Sequence, residues 1–303
     1  MKTKLFYVTL LVMSILLGSC ANDNLQEPES GKKNLNIQAK IGEIISRAPI
    51  ASFSNASEMG LFITAGNLGN DYDGIAAYSN VKATVNNNAW SLAIPVFLSN
   101  NTAKIYAYYP YSASTTTGTT VAIETTSQTD FLYGTHAASV NNTTPNCPIT
   151  MQHVLALVDF KFAKQNYSGA GKLTKIELAN ASGKKILNSK GSMNIQTGTI
   201  TKDANSSGDT SRTLDYTLTT TAAATSADPF LVIPVSPLTS AGDLTMTFTV
   251  DGKAYVYNLP AATEWVSGTK NTYAVTLSGK GLTVGNVTIT DWTTGTGGAA
   301  TIQ

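Results

Sequence analysis

Leu35, Ile37, Ala39 and Ile41 alternate with Asn36, Gln38 and Lys40. A period of two fits an extended strand with one buried face, because successive side chains of a strand point to opposite sides. The same grammar runs along the chain. Met59 to Ala65 is apolar and β-prone, and Asn67 to Gly74 is a Gly/Asn/Asp loop. Asn86-Asn87-Asn88 makes a turn before Trp90, Leu92 and Ile94, and Lys104 to Tyr111 is a tyrosine-rich strand. His153 to Phe162 is a nearly continuous apolar strand, broken by Asp159 and Lys161. Leu173, Ile176 and Leu178 mark another, and Phe230 to Val235, Leu244 to Val250 and Tyr255 to Leu259 continue the series. Asp251-Gly252, between the last two, is a hairpin signal, since a type I′ turn needs positive φ at both central residues. Tyr273, Val275 and Leu277 alternate, and Leu282, Val284, Val287, Ile289 and Trp292 close the pattern. No helix of three turns and no repeat emerges. The expected class is all-β, arranged as two sandwiches.

The start of the chain sets its address. Met1-Lys2-Thr3-Lys4 is positive, Leu5 to Leu17 is an uncharged apolar run, and Leu17-Gly18-Ser19-Cys20 ends it. The run is short for a permanent membrane helix and sits where a secretory signal belongs. A cysteine straight after small residues matches the bacterial lipobox, in which the thiol is acylated and the chain is cut just before it. Cys20 is therefore the expected lipidated N-terminus of an envelope lipoprotein. Ala21 to Lys33 reads as a polar tether. With Cys20 acylated, Cys147 has no partner for an intrachain disulfide, so packing and strand pairing must hold the fold.

Composition excludes some partners. The formal net charge of the 303 residues is +1, which leaves no electrostatic footprint for nucleic acid. The residues left after the signal are enough for two domains or one large one. The two prolines and paired asparagines of Asn141 to Pro148 mark the expected boundary.

No catalytic constellation assembles from the sequence. The two histidines, His136 in a loop and His153 at a strand start, are far apart and read as structural residues bonded to backbone. With a single non-lipidated cysteine they make no zinc signature. Gly169-Ala170-Gly171-Lys172 loosely resembles a phosphate loop, but Leu173 stands where Ser or Thr would hold magnesium, so a hairpin turn is the better reading. Scattered acids do not indicate paired carboxylates. The tyrosines fit strand surfaces and core rims better than a sugar platform. The expectation is a protein that is not an enzyme and needs no cofactor or metal.

Several segments, taken in order behind the lipobox, resemble the fimbrillin family of Bacteroidales, the subunits of type V pili. Glu58-Met59-Gly60-Leu61-Phe62 is similar to its "IGLF" strand, and Lys104-Ile105-Tyr106-Ala107-Tyr108-Tyr109-Pro110-Tyr111 to its "AYYPY" strand. Asp130-Phe131-Leu132-Tyr133-Gly134 is similar to "DLLYG", Met151-Gln152-His153-Val154-Leu155-Ala156 to the "HxLA" start, and Val287-Thr288-Ile289-Thr290-Asp291-Trp292 to the terminal "DW". The resemblance implies two tandem transthyretin-like β-sandwiches. It also implies export as an outer-membrane lipoprotein, cleavage after a basic residue near the end of the first strand, and head-to-tail polymerisation with copies of itself or related pilins.

Carried onto this chain, residues 1–20 are the signal, 21–47 a tether with a removable first strand, 48–148 and 149–280 the two sandwiches, and 281–303 a donor tail. Cleavage is expected between Arg47 and Ala48. The displaced strand carries Leu35, Ile37, Ala39 and Ile41; the donor strand carries Leu282, Val284, Val287, Ile289 and Trp292. The tail has a second reading, as the last strand of its own sandwich. The whole chain has others, as a non-polymerising pilus anchor or tip, or as a surface glycan-binding lipoprotein.

Overall fold

The structure, a computed structural model, describes residues 31–41, 52–136, 138–224 and 229–291. Its first half contains β1 (Lys33–Asn34), β2 (Asn36–Ile41), β3 (Glu58–Thr64), β4 (Val81–Asn86), β5 (Ala89–Leu92), β6 (Phe97–Leu98), β7 (Lys104–Tyr109), β8 (Val121–Glu124), β9 (Leu132–Thr135) and β10 (Asn146–His153). Its second half contains β11 (Ala156–Gln165), β12 (Lys172–Asn180), β13 (Lys190–Met193), β14 (Ile200–Lys202), β15 (Thr210–Thr217), β16 (Ala223–Ala224), β17 (Phe230–Val232), β18 (Leu244–Val250), β19 (Lys253–Asn258), β20 (Thr269–Ser278) and β21 (Gly281–Asp291). The helices among the described residues are two single 3₁₀ turns, Tyr72–Gly74 and Ala76–Tyr78. The class is all-β, as the period-two pattern requires.

The first half is one seven-stranded sheet in the order β2-β10-β9-β7-β3-β4-β5. It curls until its two edge strands approach each other, so the sheet is nearly a closed barrel. Inside lie Leu35, Ile37, Ile41, Met59, Leu61, Ile63, Ile105, Leu132, Cys147, Ile149 and Met151. The β4–β5 hairpin turns at Asn87 and Asn88, whose φ values are 48° and 64°. Positive φ at both central residues marks a type I′ turn, and Asn tolerates it better than most residues. Gly60 is required by packing: a Cβ there would lie 2.0 Å from Cε1 of the Tyr108 ring. The ring uses that space to reach Asn80 Oδ1 with its hydroxyl, at 2.7 Å.

The second half stacks the sheet β16-β11-β20-β21, with β17 also paired to β11, against the sheet β15-β12-β18-β19. Phe160 and Phe162 of β11 meet Phe248 of β18 edge-on, both at 5.5 Å between centroids. The buried Trp265 indole donates to the Tyr273 hydroxyl at 2.9 Å, and burial pushes that phenol up to about 12. The charge that interrupts the apolar run of β11 is accounted for: Asp159 meets Lys270 of the parallel neighbour β20 at 2.9 Å. The β18–β19 hairpin turns at Asp251 and Gly252, with φ of 49° and 77°.

The halves are joined by more than a linker. β8 of the first half pairs with β13 of the second, in the three-stranded sheet β14-β13-β8. A third apolar cluster beneath it gathers Phe62, Tyr106 and Tyr108 with Val154, Leu155, Leu157, Met193 and Leu231. That cover explains why β3 and β7 read as apolar on both faces. The Gln128 side-chain amide acts as a missing strand neighbour. It donates to Leu231 O at 3.0 Å and accepts from Leu231 N at 2.8 Å. β10 runs through position 148, and the core changes hands just after it, between Met151 and Ala156.

Candidate functional site

The N-terminal segment lies on the barrel seam. Its backbone alternates between two neighbours: Leu35 N–H donates to Val96 O, and Asn36 N–H donates to Pro145 O, each at 2.9 Å. β1 pairs antiparallel with β6, and β2 then pairs parallel with β10, placing Ile37 beside Cys147 and Ile41 beside Met151. Leu35, Ile37 and Ile41 are buried, and Ala39 is half-buried against the same core. β2 is therefore an edge strand whose apolar row completes the first core. Between it and β5 runs a cleft of about 570 Å³, lined by β2, Asn88 to Trp90 and Pro148 to Thr150.

The tail strand β21 forms the edge of a different sheet, antiparallel to β20. Leu282 and Val284 pack against the second core, whereas Val287 is 37% exposed and Ile289 60% exposed. A register shift separates the two pairs, opposite Tyr273 and Val275. Thus the first strand and the tail belong to different sheets and different cores of the chain. Cys20, Arg47, Ala48 and Trp292 lie outside the described residues.

The other sequence candidates have structural partners. His136 Nε2 accepts the Ile105 N–H at 3.0 Å while Nδ1 faces Ala138 O, so a neutral ring with its proton on Nδ1 satisfies both contacts. Burial holds its pKa below the usual 6.5. The Gly169 to Lys172 loop spends its N–H groups on a carboxylate of its own chain. Gly171 N and Lys172 N donate to Asp251 at 2.9 and 2.8 Å, and Tyr167 donates its hydroxyl at 2.8 Å. Those bonds, the Gly171 bond foremost, lower the Asp251 pKa. Cys147 is a free, buried thiol pushed up to about 12 by burial. Among the described residues no group of three or more His, Cys, Asp or Glu could hold a metal ion.

Sequence reasoning missed the contact between two of its own motifs. Asp130 Oδ2 lies 2.7 Å from His153 Nδ1, both side chains sealed from solvent. The signal was present as a single acid before one apolar run, Asp130-Phe131-Leu132, and a single histidine before another, His153-Val154-Leu155; the structure ends β10 at His153 and starts β11 at Ala156, so His153 closes a strand instead of opening one. Trp90, which lines the seam, and Phe53, which packs on its ring, were also not singled out as site residues.

Comparison with solved structures finds the same fold over nearly the full length of other chains. A candidate cell adhesion protein of Bacteroides ovatus aligns with a TM-score of 0.63 at 18% identity, covering 86% of this chain and 98% of the other. One from Bacteroides uniformis gives 0.59 at 20%, covering 86% and 99%. A fimbrial protein of Bacteroides vulgatus gives 0.53 at 16%, covering 86% and 99%. No curated protein sequence matches. The family model described as fimbrillin-like matches residues 46–292. Its members are structural and non-catalytic. With most of its length matched by that model, this chain belongs to the fimbrillin-like family.

Proposed function

We propose that this protein is a structural subunit of a type V-like fimbria that serves surface adhesion. It is exported as a lipoprotein acylated on Cys20, cut between Arg47 and Ala48, and polymerised head to tail by strand exchange. In this reading residues 1–20 are the signal and 21–47 the propeptide. Residues 48–148 and 149–280 form tandem transthyretin-like sandwiches, and 281–303 is the donor tail.

The observation that carries the reading is the position of β2. It is an edge strand that, with Leu35 just before it, fills the first core through Ile37, Ala39 and Ile41, and Arg47 follows it before β3. Full burial of a Leu or Ile side chain is worth roughly 1.5–3 kcal/mol, so loss of this row leaves a groove with several kcal/mol to regain. Strand addition supplies that, through ladder bonds and side-chain pockets. The exposed Val287 and Ile289 on the edge strand β21 offer an apolar row to a second copy. Head-to-tail exchange of this kind gives an open polymer.

N-terminal sequencing of filaments sheared from cells tests the proposal. Subunits that begin at Ala48 support it. Filament subunits that begin at Cys20 overturn it in favour of an uncleaved anchor or surface lipoprotein.

A further inference from the structure

We infer that Trp90 is the latch that governs release of the first strand, an inference that rests on the strand-exchange reading above. β2 has two edges. One is laddered to β10 over six residue pairs. The other faces the seam, and β2 and β5 are not paired as neighbours in the sheet. Among the described residues, the hydrogen bond that crosses from β5 to β2 is that of the Trp90 indole, whose Nε1–H donates to Ala39 O at 3.3 Å. It crosses at the one position of the inward row that carries a small side chain, between Ile37 and Ile41.

The same indole holds a second segment. Phe53 packs edge-on against it, 4.9 Å between centroids at 77°, and Phe53 in turn packs on Tyr109 at 5.5 Å. Phe53 lies five residues beyond Ala48. Trp90 thus touches the chain on both sides of the expected cut: the strand that leaves and the segment that becomes the new N-terminus. Its own place is fixed by the tight Asn87-Asn88 hairpin, which sets Trp90 opposite Val85. The cleft alongside leaves the indole as an isolated bridge rather than part of a ladder. Loss of that bridge lowers the barrier to peeling β2 from β10. A strand that later fills the groove meets the same donor and needs a carbonyl and a small side chain there.

Hydrogen exchange on the full chain tests this with Trp90→Phe and Trp90→Ala. The first removes the N–H but keeps a ring against Phe53, so it remains informative should the alanine variant fail to fold. Amides of Gln38 and Lys40, the ones turned toward β10, are expected to exchange about five- to tenfold faster in Trp90→Phe, the effect of one hydrogen bond, with β20 amides unchanged. After a cut at Arg47, the first strand should leave faster by a similar factor. Exchange within about twofold of wild type in Trp90→Phe overturns the latch, since one lost bond predicts more. If exchange quickens but the cut wild-type chain keeps its first strand indefinitely, the seam contact stands and the strand-exchange reading fails instead.

Discussion

His153 Nδ1 and Asp130 Oδ2 lie 2.7 Å apart in a site closed to solvent, joining the segment before β9 to the end of β10. The same turn of chain carries the bonds that hand the first half to the second. Val154 N donates to Phe131 O, Ser267 Oγ donates to the carbonyls of His153 and Val154, and Gly268 N donates to Leu155 O. Removing either partner takes a buried hydrogen bond from the other, a loss of about 1–3 kcal/mol. Asp130→Ala and His153→Ala should each lower the unfolding free energy obtained from urea melts by that much. The double variant should lose far less than the sum, which a double-mutant cycle reads directly.

His136 should make the first half acid-sensitive. Burial depresses its folded pKa below 6.5, so near that pH the unfolded chain binds more protons than the folded one. Stability is then full above about 6.5 and falls as pH drops through the window below it. Protonation at Nε2 also breaks the bond from Ile105 N in the middle of the sheet. Urea midpoints at pH 7.5 and 5 should differ more for wild type than for His136→Gln, which lacks the titrating ring.

Asp251 has the acid-side behaviour of a hydrogen-bonded carboxylate. Its folded pKa is lowered, so its contribution is present above the ordinary carboxylate range and lost as pH falls through the folded value. Asp251→Asn keeps a residue that tolerates the 49° φ while removing the charge. Amides of Gly171 and Lys172 should exchange faster in this variant, with the β18–β19 ladder retained.

Gly60→Ala puts a Cβ into the Tyr108 ring. The ring must move, and its bonds to Asn80 and Ser112 go with it. Overpacking of this kind costs about 1–3 kcal/mol before those bonds are counted. Adding Tyr108→Ala should restore part of the loss caused by the clash, as thermal unfolding of both variants would reveal.

Cys147 provides an internal reporter for the proposed loss of β2. Buried beside Ile37, with its thiol pushed up to about 12, it should resist thiol reagents in the intact chain. After the first strand leaves, it should label readily. With Ile289→Cys in the tail, oxidised assemblies should contain disulfides between Cys147 of one copy and the tail of the next. Labelling of Cys147 that never changes would show that the groove does not open.

What the sequence made legible was local. The alternation at Leu35 to Ile41 marked the buried row of β2, and Asn86-Asn87-Asn88 and Asp251-Gly252 marked two hairpins, because strand period and turn φ are set by neighbouring residues. What it hid was long-range. The parallel pairings of β2 with β10 and of β11 with β20 join segments separated by whole strands, and nothing in either segment specifies the partner. Asp159 read as a break in an apolar run because Lys270 is far along the chain. The β8–β13 pairing was invisible for the same reason, so the two halves looked more independent than they are.

That pairing has a mechanical consequence. Rotating one half against the other would shear β8 from β13, pull Leu231 off the Gln128 amide and open the cluster around Leu155 and Phe62. The molecule is therefore stiff across its own waist. Load entering at one end is carried through several parallel attachments rather than along a single covalent thread. In the filament proposed above, bending and recoil would belong to the contacts between successive copies, with each unit a rigid link in a chain.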